Sequence, residues 1–154
     1  MLVLTFQVGE ERLALDVRRI QEIVPWVRLQ PVACGPSWLA GIFIYRGQIV
    51  PVVDLHRLRG AGECPIHLST RIILVPHLLD GQERLVGLLA AQVADVREMQ
   101  PPSPAASHLG TAGRFSLGPV HVDGKEIIHL AELDRLVPGL SEEQLALVAK
   151  EPPA

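Results

Sequence analysis

Hydrophobic residues in this chain fall into short runs, and a turn bearing glycine or acid stands between most neighbouring runs. The clearest case is Gly41 to Leu58, GIFIYRGQIVPVVDLHRL. Ile42–Tyr45 lies on one side of Arg46-Gly47, with Ile49, Val50, Val52 and Val53 on the other. β-rich runs flanking such a dipeptide predict a hairpin. Asp54 then starts a helical turn over Leu55–Leu58 as an N-cap by residue type. Upstream, Leu2–Val8 and Arg12–Leu15 predict a hairpin about Gly9-Glu10-Glu11. Asp16–Arg19 reads as a helical turn, Ile20–Leu29 as an extended piece broken at Pro25, and Val32–Trp38 as loop. Downstream of the connecting loop Arg59–Ser69, Thr70–Leu78 pairs with Leu85–Ala90 across Asp80-Gly81. Val93–Met99 is extended, Pro101–Gly113 is a loop, and Phe115–Val122 pairs with Lys125–Leu130 across Asp123-Gly124. Beyond Pro138-Gly139, Ser141 and Gln144 make a capping box for a C-terminal helix with Leu145, Val148 and Ala149 on its apolar face.

The pattern repeats. Gly9-Glu-Glu-Arg12-Leu13 matches Gly81-Gln-Glu-Arg84-Leu85, and Ile20-Gln-Glu22-Ile23 matches Val93-Ala-Asp95-Val96 with one residue of slip. Gly47-Gln-Ile-Val50 matches Gly124-Lys-Glu-Ile127, and Leu55-His-Arg57-Leu58 matches Leu133-Asp-Arg135-Leu136. Each half therefore reads hairpin, crossover, hairpin, short helix. Many short strands with closely spaced turns favour sandwiches or barrels, and two small barrels, one per half, would remove most exposed edges. The fold class is mainly β.

Composition narrows the function more by exclusion. A chain of 154 residues with mean hydropathy +0.27 can bury a real core, yet its longest apolar run, Leu85–Ala91, is far too short to span a bilayer. The start at MLVLTFQV has no basic leader pattern, and two cysteines form no disulfide framework, so a reducing cytoplasmic setting is expected. A net charge of −3 gives no electrostatic footprint for nucleic acid or anionic membrane. Cys64-x-x-His67 is half a zinc pattern with no second pair at ligand spacing, so no metal or other cofactor is expected. The sequence has no nucleophile elbow and no phosphate-cradling glycine loop, and Asp16, Asp54 and Glu22 are explained by caps or ion pairs. The chain reads as a non-enzyme. Its apolar excess suggests surface kept for other proteins.

Two charges stand out against that apolar background. Arg46 tips a hairpin with almost no other charge, and Glu22 sits between Ile20 and Ile23 in an extended apolar segment. If the 20–29 strand lies beside the 41–58 hairpin, the two meet as a charge-assisted pair. That pair would pin two strands in register or belong to a binding surface, and the residues alone leave both readings open. Trp38 is expected in the core; Trp26 is core cover or an interface anchor.

Taken together, Ile20-Gln-Glu22-Ile23, Trp38-Leu-x-Gly41, and Arg46-Gly47-x-x-x-Pro51-Val-x-Asp54-Leu55 resemble the CheW-type adaptor domain of bacterial chemosensory systems. Thr70-Arg71-Ile-Ile, Val86-Gly87-Leu-Leu and Val93-x-Asp95-Val96 fit the second half of that pattern. The resemblance runs from about Leu2 to Val137. It implies two intertwined five-stranded β-barrels with short helices, as a single domain over residues 1–140, with the C-terminal helix and tail over 141–154. It also implies a non-catalytic adaptor between the cytoplasmic helical tip of a chemoreceptor and a CheA-type histidine kinase, recruited to membrane receptor arrays. The alternative is a CheW-like scaffold or regulator outside such arrays, serving pili, surface sensing or second-messenger control. By motif, the partner-binding set is Ile20, Glu22, Gly41, Arg46 and Gly47. Two positions depart from the family: Ile44 and Tyr45 replace its usual Asn-Leu before Arg-Gly, and Ala91 stands where an aspartate is common.

Overall fold

In the computed structural model the runs become ten strands among the described residues, which are 1–132 except 34, 80, 81, 95, 101–119 and 124. The first half holds β1 (Leu2–Val8), β2 (Glu11–Asp16), β3 (Glu22–Pro25), β4 (Leu39–Tyr45), β5 (Gln48–Asp54) and helix α1 (Leu55–Leu58). The second holds β6 (Arg71–Leu79), β7 (Gln82–Ala90), β8 (Val96–Glu98), β9 (Val120–Asp123) and β10 (Glu126–Leu130). Asp16 caps a 3-10 turn at Val17–Arg19 by accepting the Arg18 backbone N–H. β3 stops at Pro25, which has no N–H to give a ladder. The last hairpin places Asp123 opposite Glu126, so Asp123 belongs to the strand where the sequence placed it in the turn. Phe115 to Gly118 and the expected C-terminal helix lie outside the described residues.

The strands make two curled five-stranded sheets, ordered β8-β1-β2-β10-β9 and β3-β6-β7-β5-β4. The expectation of one barrel per half is therefore corrected. Each sheet takes its central hairpin from one half and its other three strands from the other half. Replacing β1–β5 by β6–β10, and the reverse, converts one strand order into the other. The parallel pairings obey the same exchange, with β2 beside β10 and β7 beside β5. The physical reason is that neither central hairpin finds its flanking strands in its own half; it is flanked by the matching strands of the other. The sequence repeat is thus a swapped, intertwined pseudo-twofold. The second sheet curls until Gln30, beyond β3, exchanges two backbone hydrogen bonds of 2.9 Å with Ile42 on β4.

Burial follows from this arrangement. The largest core lies between the sheets, with Leu4, Phe6, Val8, Leu13 and Leu15 facing Val53, Leu55, Ile73, Val75, Val86 and Leu88. On the other face of the second sheet, Val50, Val52, Ile72, Leu74 and Leu89 form a separate cluster with Cys64. Strand β6 is therefore buried on both faces, which explains its unbroken apolar run Ile72–Val75. A smaller cluster of Val3, Ala14, Met99 and Ile128 fills the first sheet. Trp38 packs against the main core, in line with the expectation from sequence. No helix among the described residues is long and apolar enough to cross a membrane.

Candidate functional site

The β4–β5 hairpin projects the residues that the motif singles out. Tyr45 pairs with Gln48, leaving Arg46 and Gly47 as a two-residue loop with φ of +48° and +77°. Positive φ at both central positions is the type I′ geometry, whose twist matches that of the flanking strands. Glycine reaches it without strain, whereas arginine there costs about 1–2 kcal/mol. The Arg46 guanidinium carbon lies 5.2 Å from the centroid of the Tyr45 ring, which in turn meets Phe43 edge-on at 6.5 Å. Arg46 itself is exposed, and Ile44 beside it is 58% exposed. The Ile44-Tyr45 departure thus gives the tip an apolar flank and the arginine an aromatic rest.

The expected Glu22–Arg46 pair is not formed. β3 and β4 occupy opposite edges of the second sheet, and no ion pair among the described residues joins the two side chains. The barrel closes through Gln30 and Ile42, so the residue beside β4 comes eight positions after Glu22, while Glu22 itself lies opposite Leu74 on β6. Glu22 is half-buried, and its Oε2 is shielded from solvent without accepting a hydrogen bond. Next to it the chain turns apolar residues outward: Ile23, Trp26 and Val27 are each exposed by more than a third. Trp26 is therefore part of the surface.

The other motif residues divide by burial. Ile20 is half-buried against the main core. Gly41, buried with φ of +149°, sits where β4 bulges past the closing segment; a Cβ there would lie 2.7 Å from the Gln30 carbonyl oxygen and 2.8 Å from Leu29 Cβ. Only glycine permits that closure. Gly47 has open space around it, and its φ of +77° is a backbone state that glycine adopts without strain. Ala91 is buried and exchanges backbone hydrogen bonds with Gln7, a position where an aspartate side chain would face apolar surroundings. An open cleft of about 260 Å³ beside the 3-10 turn is lined by Arg18, Arg19, Pro76, His77, Leu78 and Glu83, with Arg18 engaged by Asp16 at 2.8 Å.

Below the hairpin, Asp54 organises a buried polar cluster that residue types alone did not reveal. Its Oδ1 accepts the backbone N–H groups of His56 (2.9 Å) and Arg57 (3.3 Å), capping α1, and its Oδ2 accepts that of Cys64 (3.0 Å). Burial holds the His56 imidazole below its ordinary value of 6.5, against the opposing charge of Asp54. Burial, helped by the same carboxylate, pushes the Cys64 thiol up to about 12. For His56 the unfolded chain takes up a proton near 6.5 while the folded chain resists it. Its contribution to stability is complete above that pH and is lost as pH falls through the lower folded value. We expect the unfolding free energy of the wild type to drop more steeply than that of a His56→Gln protein between roughly pH 7 and 5. Urea titrations at each pH with a chelator present check this; parallel curves would show His56 titrating alike in both states.

With this geometry in hand, comparison with known proteins settles the kinship. The family model described as "CheW-like domain" matches residues 2–140. The chain belongs to the CheW-like domain family. It is similar to the chemotaxis protein CheW of Rhizobium meliloti, with 29% identity over 94% of this chain and 90% of that protein. It is also similar to protein FrzA of Myxococcus xanthus, with 31% identity over 86% of this chain and 82% of that protein. Among solved structures, the scaffolding protein TtCheW from Thermoanaerobacter tengcongensis superposes with a TM-score of 0.68 at 28% identity, covering 88% of this chain and 86% of TtCheW. An adaptor role and the paired-barrel CheW fold follow from that kinship.

Proposed function

We propose that this CheW-like chain is a non-catalytic signalling adaptor that couples the cytoplasmic helical tip of a chemoreceptor to a CheA-type histidine kinase. The observation carrying the receptor half is the β4–β5 tip, where Arg46 is exposed beside the uncovered Ile44 and, among the described residues, rests on the Tyr45 ring. An arginine over an aromatic ring with an apolar flank has the makeup of an interface anchor. The shielded Glu22 oxygen without a donor, next to exposed Ile23 and Trp26, supports a second contact in which a partner supplies the hydrogen bond. Helix-in-groove recognition uses apolar anchors of this kind.

The test is binding by the purified chain to a receptor cytoplasmic fragment and to the kinase. Arg46→Ala should weaken receptor binding by about 2 kcal/mol, roughly 30-fold, as for a hot-spot arginine. Stability should change by no more than about 1 kcal/mol, because the lost cation–π contact is surface-exposed and the left-handed strain is not made worse. Both are read by calorimetry and by denaturant titration of the same samples. Wild-type receptor affinity in the folded variant would remove Arg46 from the binding surface. A chain that binds the kinase but no receptor fragment would instead be a scaffold outside receptor arrays, and turnover of a nucleotide or phosphate substrate would end the adaptor reading.

A further inference from the structure

Asp54, His56 and Cys64 are 2%, 5% and 5% exposed, and one potential ligand atom from each lies within 4.8 Å of the other two. Ligand atoms around a tetrahedral zinc ion stand about 3.3–3.8 Å apart, given metal–ligand bonds near 2.0–2.3 Å. The three groups therefore need to draw together by about an ångström, and no chain crossing has to be rearranged. A helix cap accounts for Asp54, but it does not account for His56. Its Nδ1 is buried and without a hydrogen-bond partner, a condition that native interiors seldom leave in place.

We infer that Asp54, His56 and Cys64 form a binding site for a thiophilic divalent cation of the zinc class, closing the loop between α1 and β6 beneath the second barrel.

The charges support this assignment. A divalent cation with one carboxylate, one thiolate and one neutral imidazole sums to zero, which is the form least costly to bury. Binding releases the thiol proton to solvent and leaves the imidazole neutral. Asp54 keeps its capping bonds through Oδ1, while Oδ2 accepts one backbone N–H from Cys64. The Arg57 Nε forms an ion pair with Oδ2 at 3.3 Å without hydrogen-bond geometry, so a bound cation would share that oxygen with the guanidinium. Arg57 also pairs with Glu63 at 2.6 Å, and since these two charges cancel, including them leaves the sum at zero. A sulfur–nitrogen–oxygen donor set suits zinc, cobalt or cadmium and disfavours calcium or magnesium, which take oxygen alone. His67 is exposed, and the imidazole beside Cys64 is that of His56, eight residues earlier.

The site is independent of the adaptor reading, and its test does not pass through signalling. Full-length protein is stripped of metal and titrated with cobalt(II). We expect one equivalent to bind and give a sulfur-to-cobalt charge-transfer band that zinc(II) abolishes by displacement. Cys64→Ser should lose the band, His56→Gln should weaken binding at least tenfold, and Cys34→Ser should leave both unchanged. A band that survives Cys64→Ser, one that vanishes in Cys34→Ser, or no band at one equivalent overturns the site. Because Cys64→Ser perturbs a buried position, X-ray absorption of zinc-loaded wild-type protein gives the independent reading. One sulfur among nitrogen and oxygen neighbours is expected; a sulfur-free spectrum overturns the proposal.

Discussion

Cut between Ala61 and Gly62, the chain should give two fragments that are each unfolded alone and that fold only when mixed. The first fragment carries β1 to β5 and α1, the second β6 to β10. Neither contains a complete sheet: β1 and β2 have their neighbours in β8 and β10, and β5 has its inner neighbour in β7. What remains in each fragment is little more than hairpins, and isolated hairpins are marginal at best in water. The main core divides along the same line, with Phe6, Leu13 and Val53 on one side of the cut and Ile73, Val75 and Leu88 on the other. The expected loss is the whole folding free energy, of the order of 5–15 kcal/mol for a domain. Amide dispersion in NMR spectra and cooperative denaturant unfolding check it. One fragment with a dispersed spectrum and its own sharp transition would contradict the intertwined topology.

Much of this was legible in the residues, and the parts that were not share a cause. Hairpin turns are local, so Arg46-Gly47 marked its own position and Asp54 the start of α1, while the Gly9-Glu10-Glu11 turn was one residue too long, since Glu11 already pairs with Val8. Sheet partners are set by contacts across the chain, and repeat matching could not distinguish two separate barrels from two swapped ones. The Glu22–Arg46 pairing failed for the same reason: the two residues are neighbours in motif order, but β3 joins its sheet on the far edge from β4. Only the far end of the segment comes near β4, with Leu29 beside Gly41 and Gln30, one residue beyond the segment, bridged to Ile42, while the strand that carries Glu22 pairs with β6. The Asp54–His56–Cys64 cluster was hidden because its cysteine comes from beyond a turn, with Ala61 N–H donating to the His56 carbonyl at 2.7 Å to fold the loop back. Spacing rules see ligands that share an element and overlook those joined by a loop closure.

Replacing Asp54 by alanine should destabilise the fold more than any other single change in this polar cluster, by about 3–5 kcal/mol. The carboxylate is 2% exposed and is the acceptor for three backbone N–H groups, those of His56, Arg57 and Cys64. Loss of an N-cap alone costs about 1 kcal/mol. The larger part comes from stranding donors in the interior, about 1–3 kcal/mol for each that water cannot reach. The Cys64 N–H is the important one, since Cys64 lies in the cluster beneath the second sheet and the loop it anchors leads into β6. Asp54→Asn should fall between wild type and alanine. One oxygen still caps α1, but an amide NH₂ turned toward the Cys64 N–H places donor against donor. Glu63→Ala is the comparison that isolates burial. Glu63 makes the shorter contact to Arg57, 2.6 Å, yet its side chain is 79% exposed. Its removal should cost under about 1 kcal/mol, as for other solvent-exposed ion pairs. Urea unfolding of the three variants with a chelator present gives the order directly. An alanine variant within about 1 kcal/mol of wild type would mean that the 55–64 loop finds other acceptors, and that Asp54 is a cap and no more.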